Sequence, residues 1–205
     1  MVAMLIGAVL DEVRDRLRPS PPRSDWQERY FAMLPGPRDV IFVGDSLTAR
    51  GLWSEHFTGR RIANRGVEGD TTTRLLTRLD EIADRQPGTV VLMIGINDLS
   101  QRLPMAEIAA RYEQILERLA ATGARLVVQS VLQVGQGSRK AEPAAIRELN
   151  AWLAAAAARH GARFLDLDPV LAPEGHLDTR FTIDGTHLNG RGYLRWAEAL
   201  APYLS

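Results

Sequence analysis

Residues 40–47 read VIFVGDSL, in which Val40, Ile41, Phe42 and Val43 run without a break into Gly44-Asp45-Ser46. An apolar run of this length, rich in β-branched residues and closed by glycine, predicts a strand buried on both faces. Such strands belong to parallel sheets covered by helices above and below. Ligands in those sheets sit beyond the carboxyl ends of the strands, which is where the polar triplet falls. Taken alone, Ser46 could do no more than cap the next helix. The rest of the chain has to decide.

Working outward, strands and amphipathic helices alternate. Ser24 and Gln27 have capping-box spacing and predict a helix over Asp25 to Met33. Arg61–Ala63 is a short second strand, Val90–Ile94 a third, Leu126–Val128 a fourth and Phe164–Leu167 a fifth. Leu75, Leu76, Leu79, Ile82 and Ala83 share one helical face, as do Ile108, Tyr112, Ile115, Leu116 and Leu119 after Pro104. Ile146, Leu149, Trp152 and Leu153 mark a further helix ended by Gly161, and Leu194, Ala197, Leu200 and Ala201 a last one. The pattern implies a three-layer α/β/α sandwich, flavodoxin-like, around a central parallel sheet of about five strands.

The chain has 205 residues, enough for one domain with a substantial core. Its 25 basic and 25 acidic residues cancel to a formal net charge of +0, so no global field favours nucleic acid or an anionic membrane. With no cysteine, a thiol nucleophile, a disulfide framework and a Cys-based metal site are excluded. Met1 to Leu10 is apolar but lacks a basic leader, and Asp11-Glu12-Val13-Arg14 follows with no small-residue cleavage site. The stretch is also too short to span a bilayer. Val2 to Leu17 is expected to form an amphipathic helix, set off by Pro19, Pro21 and Pro22, in a cytoplasmic protein without membrane insertion.

The residues after each strand carry the chemistry. Gly44-Asp45-Ser46 follows the first, and Asn64-Arg65-Gly66-Val67-Glu68-Gly69-Asp70 the second. Gly95-Ile96-Asn97-Asp98 follows the third, and Asp184-Gly185-Thr186-His187 comes after the last. Four distant segments thus bring a hydroxyl, glycine amides, a carboxamide, a carboxylate and an imidazole to one rim. That is what serine hydrolysis requires: nucleophile, oxyanion donors, orienting acid and base. A P-loop and a Gly-x-Gly-x-x-Gly turn are missing, and so is the Gly-x-Ser-x-Gly elbow. A metal-dependent hydrolase could draw on Asp45, Asp98, Asp184 and His187, but such sites usually need two or more histidines. Only four His exist in the chain, with His176 the rival base and His160 and His56 in helical settings.

These blocks resemble the SGNH hydrolases, the GDSL esterase and lipase family. Gly44-Asp45-Ser46-Leu47 matches the first block, which identifies Ser46 with the nucleophile. Asn64-x-Gly66-x-x-Gly69-Asp70 is similar to the second, whose oxyanion glycine falls on Gly69. Gly95-x-Asn97-Asp98 resembles the third and puts the oxyanion carboxamide on Asn97. Asp184-x-x-His187 matches the last, which supplies acid and base. The resemblance is greatest to acylhydrolases like the platelet-activating factor acetylhydrolases and to bacterial carbohydrate acetylesterases. It implies a single hydrolase domain over 1–205, with a core of about 38–205 behind the N-terminal helix. It also implies a small-molecule ester as substrate, with a short acyl group such as acetyl and no cofactor or metal.

Physical reasoning supports these assignments. Ser46 at a helix start meets orphan N–H groups and the positive end of the dipole, and it needs a neutral His within reach to act. Asp184, three residues before His187, can orient the ring through a turn. Gly69 can bring an amide to substrate with no side chain in the way. Asp45 and Asp70 are expected to bond turn and helix-start amides. Loops Leu132–Lys140 and Pro173–Phe181 are expected to form the rim that selects substrate. The rival from another class is a non-catalytic binding protein on the same fold, which would be favoured by loss of a triad member. If the protein is a homo-oligomer, the N-terminal helix is the expected contact.

Overall fold

The computed structural model of the chain describes residues 23–34 and 36–205. The expected N-terminal helix and the prolines behind it lie outside the described residues. Helix α1 spans Arg23–Met33. It begins two residues before Asp25, so Ser24 lies inside the helix and not ahead of it. Its outer end is held by Arg74, which donates to Glu28, and by Arg85, which donates to the Phe31 carbonyl.

Five parallel strands follow in the spatial order β2-β1-β3-β4-β5. They are β1 Val40–Gly44, β2 Ile62–Gly66, β3 Thr89–Met93, β4 Arg125–Gln129 and β5 Arg163–Leu165. β1 and β3 are buried along their whole length, as expected of strands covered on both faces. The chain leaves β1 toward one edge to make β2, then returns to the other side to make β3. The crevice between the tips of β1 and β3 is therefore the topological switch point, where such sheets bind ligands.

Short helices α2 (Ser46–Ala49) and α3 (Trp53–His56) follow β1, and α4 (Thr72–Thr77) and α5 (Leu79–Ala83) follow β2. After β3 come α6 (Ile96–Ser100) and α7 (Met105–Ala120); α8 (Pro143–Arg159), α9 (Asp168–Leu171) and α10 (Gly190–Leu204) complete the chain. One layer joins α4 and α5 to α7, and α7 to α8. The other joins α10 to α3 and α9. Phe42 stacks on Trp53 with ring centroids 4.4 Å apart, and Trp53 meets Trp196 edge-on at 4.8 Å. That aromatic stack anchors α10 beneath β1.

Three further elements depart from expectation by more than a residue. β2 runs on through Asn64, Arg65 and Gly66, residues with little strand preference. Asn64 donates to the carbonyls of Thr48, Ala49 and Gly51 and accepts from Gly66 N–H, while Arg65 pairs with Glu81 at 3.1 Å. Tertiary partners for polar side chains thus override local propensity. The expected Leu75–Ala83 helix is two pieces, broken at Arg78, whose side chain turns to Asp70. β5 stops at Leu165 because Asp166 accepts from Asp168 N–H and Leu167 N–H bonds to Ser130 Oγ, which turns the chain into α9.

Candidate active site

Gly44 ends β1 where there is room for no side chain. A Cβ there would lie 2.1 Å from the Met93 carbonyl oxygen and 2.3 Å from Thr48 Oγ1. Its opposite number on β2, Gly66, would meet Ala49 N at 2.2 Å. These two glycines let α2 settle directly onto the sheet. Asp45 caps that helix by accepting from Leu47 N–H at 2.9 Å. Burial pushes its carboxyl up to about 7, against the Leu47 bond that favours the charge. Ser46 is then the first helical residue and is 7% exposed. The helix is a single turn of four residues, so local amides, not a long macrodipole, surround Ser46.

His187 Nε2 lies 3.1 Å from Ser46 Oγ, across 141 residues of sequence. The other ring nitrogen, Nδ1, lies 2.7 Å from Asp184 Oδ2. A carboxylate can only accept, so Nδ1 carries the hydrogen and Nε2 presents a lone pair to the serine hydroxyl. Asp184 uses its second oxygen, Oδ1, to accept from Thr186 N–H at 2.9 Å and His187 N–H at 2.7 Å. Burial works against its charge, but the His187 side-chain and backbone bonds and the Thr186 bond win, taking the carboxyl down to about 2. Thr182 closes the turn by donating Oγ1–H to the His187 carbonyl and accepting from Gly185 N–H.

The second rim lies beside the first. Val67 N–H donates to the Gly44 carbonyl at 3.0 Å, which places the Val67–Asp70 turn next to the strand that carries Ser46. Gly69 sits in that turn with φ of +73°, a conformation that L side chains rarely adopt. A Cβ on it would meet no protein atom, so the backbone angle, not crowding, calls for glycine. Asn97 is in the first turn of α6, not at a strand end, and its Nδ2 donates to the Asp70 carbonyl at 2.8 Å. One amide hydrogen of Asn97 remains. Among the described residues, the backbone N–H groups of Ser46 and Gly69 have no hydrogen-bond partner. Three N–H donors on the segments beside Ser46 are thus left without a partner among the described residues.

Other residues sort differently. Asp70 does not cap a helix; Thr71 does, and Asp70 is paired in the interior with Arg78 at 2.6 Å. Arg78 also donates to the Gly44 carbonyl, so the pair braces the Gly69 turn against β1. Asp98 is fully buried and accepts from Thr72 N–H and Thr72 Oγ1. The carboxylates considered for a metal therefore serve separate turns, and only Asp184 touches His187. His176 lines a separate cleft of about 310 Å³ with Glu174, Asp178 and Arg180. Gly135, Gly137, Ser138, Thr179, Thr182 and Asp184 line another of about 570 Å³, next to the candidate acid.

Sequence reasoning assigned no individual role to Arg78, Asn64 or Lys140. Arg78 lay hidden in an amphipathic stripe; only a basic residue eight positions after a buried Asp could have hinted at it. Among the described residues, no helix is long and apolar enough to cross a membrane.

Residues 42–195 match the GDSL-like Lipase/Acylhydrolase family. Platelet-activating factor acetylhydrolase IB subunit alpha1 of Bos taurus is 32% identical over 193 residues, 85% of this chain and 80% of that protein. The Rattus norvegicus subunit alpha1 is 30% identical over 191 residues, with the same coverage. Among solved structures, a GDSL-like lipase from Bacteroides thetaiotaomicron superposes with a TM-score of 0.77 at 23% identity, covering 89% of this chain and 97% of that one.

Proposed function

The chain belongs to the GDSL-like lipase/acylhydrolase family and is an ester hydrolase, and from that premise we propose that it cleaves short-chain carboxylic esters through an acyl-serine on Ser46. The observation that carries this reading is the unbroken relay from Ser46 Oγ to His187 Nε2 at 3.1 Å and from His187 Nδ1 to Asp184 at 2.7 Å. His187 Nε2 takes the serine proton as Oγ bonds to the ester carbonyl carbon. The carbonyl π pair moves onto oxygen, and that oxyanion accepts from Ser46 N–H, Gly69 N–H and Asn97 Nδ2–H. Asp184 stabilises the imidazolium without taking its proton.

Collapse of the tetrahedral species breaks the C–O bond, and His187 returns the proton to the departing alcohol. Water then repeats the sequence on the acyl-serine, with His187 again as base, and the carboxylic acid leaves. The preference for acetyl or a similarly short acyl group is supported by the acetylhydrolase names of the relatives at 30% and 32% identity.

The test is a series of p-nitrophenyl esters from acetate to dodecanoate, with Ser46→Ala alongside. Turnover should be fastest for the shortest acyl groups and absent in Ser46→Ala, whose melting temperature should match wild type. More than a few per cent of wild-type rate in folded Ser46→Ala removes the nucleophile assignment. A maximum at octanoate or longer removes the short-acyl assignment alone.

A further inference from the structure

Lys140 is the single lysine among the 25 basic residues of the chain. It stands at the end of the loop after β4, half-buried, and its Nζ donates to Asn97 Oδ1 at 3.0 Å. Among the described residues, this is the one hydrogen bond its side chain makes. Every other cation in the chain is an arginine, a planar fork suited to carboxylates. The ammonium is a compact point charge, and here it faces a neutral amide oxygen.

The Asn97 carboxamide is consequently held from both ends. Nδ2 donates to the Asp70 carbonyl at 2.8 Å, and Oδ1 accepts from the ammonium. Rotating the amide by half a turn would set Oδ1 against the Asp70 carbonyl and NH₂ against Nζ, two repulsive contacts in place of two bonds. Only the observed orientation leaves an N–H free for the oxyanion. A cation on the amide oxygen also draws electron density from the nitrogen, which makes the remaining N–H a stronger donor. Burial pushes the Asp45 carboxyl beside Ser46 upward, and the Lys140 charge pulls the other way, so its field extends across the site.

The loop that carries Lys140 is also tied to the triad. Lys140 N–H donates to Ser138 Oγ, Ser138 N–H to the Gly135 carbonyl, and Gly135 N–H to the Gly185 carbonyl at 2.7 Å. Gly185 lies between Asp184 and His187. A Cβ on Gly135 would come within 2.9 Å of Gly185 Cα, so the two segments meet backbone to backbone.

We propose that Lys140 is a positioning residue for ester hydrolysis, orienting and polarising the Asn97 carboxamide that receives the oxyanion. The inference rests on the serine-esterase reading and acts through Asn97, not on the substrate directly.

The experiment measures p-nitrophenyl acetate turnover for wild type, Lys140→Met, Asn97→Ala and the double variant, with Ser46→Ala as the floor and melting temperatures for all. Losing an oxyanion donor outright costs about 10² to 10³ in kcat. Weakening and loosening one should cost less, about 10- to 50-fold in Lys140→Met, with KM within about twofold. In the Asn97→Ala background the same substitution should cost less than about twofold, because the amide it serves is gone. Should Lys140→Met melt below wild type, Lys140→Gln carries the same comparison. A kcat within twofold of wild type, or an equal fall in the Asn97→Ala background, overturns the proposal. Activity persisting in Ser46→Ala would instead overturn the serine reading, so the two failures are distinct.

Discussion

Replacing Asp184 by Asn tests the orienting acid with little disturbance of the fold. The two carboxylate oxygens have separate duties: Oδ1 holds the Thr186 and His187 N–H groups, and Oδ2 holds His187 Nδ1. An Asn that keeps the turn must keep its oxygen at the Oδ1 position, so its NH₂ group faces Nδ1. Nδ1 then becomes the acceptor and the hydrogen moves to Nε2, which faces Ser46 as a donor. The base is lost. Flipping the amide would restore the tautomer, but at the loss of two backbone bonds, about 1 kcal/mol each. That leaves about 3% of molecules in the productive arrangement. Those molecules also lack the negative charge beside the imidazolium, which is worth a further factor of about 10 to 30. The product is a fall in kcat of about 10³. This is less than the ~10⁴ seen where a triad Asp is buried, in keeping with an Asp184 side chain that is 48% exposed to water. The assay is steady-state hydrolysis of p-nitrophenyl acetate, with thermal melting by circular dichroism to confirm the fold. Folded Asp184→Asn that retains more than a tenth of wild-type kcat would refute this account of the tautomer.

Asn97→Ala should lower kcat by about 10² to 10³ with little change in KM, since its amide serves charge that forms only in the transition state. A variant with raised KM and unchanged kcat would make Asn97 a substrate-binding residue. Asp45→Asn keeps a helix cap but removes a carboxyl that burial raises from 3.8 to about 7. The folded state holds that proton more tightly than the unfolded chain, so wild-type stability should fall as pH rises from about 4 to about 7 and level off above. Urea unfolding should show the variant gaining up to about 4 kcal/mol over wild type between pH 4 and pH 8; parallel curves would refute this. Gly44→Ala should destabilise by more than about 3 kcal/mol, because its Cβ would sit 2.1 Å from the Met93 carbonyl. Gly69→Ala, with open space but φ of +73°, should lose only about 1–2 kcal/mol. Equal melting temperatures for the two would contradict this reading of the glycines.

The fold was legible because its strands are extreme. Val40–Val43 and the run from Val90 carry nothing polar, and a strand buried on both faces has few architectures open to it. Helices α7 and α8 were equally plain from their stripes. What could not be read was polar structure made by distant partners. Asn64-Arg65-Gly66 looks like a loop until the carbonyls of Thr48, Ala49 and Gly51 and the Glu81 carboxylate are in place. Arg78 looks like one more exposed helical arginine until Asp70 is beside it.

The sequence by itself determined which chemical groups are available: Ser46 directly beyond β1, Gly69 and Asn97 a few residues beyond β2 and β3, and Asp184 and His187 in the loop before α10. Glycine and short polar residues after a buried strand can be read locally, because the strand before them dictates where they emerge. Only the tertiary structure decided which groups touch. It brought His187 and not His176 to Ser46, paired Asp70 with Arg78 in the interior, and set the lone lysine against Asn97. Hydrogen bonds and ion pairs act over about 3 Å, so a displacement too small to show in any sequence pattern separates a partner from a bystander.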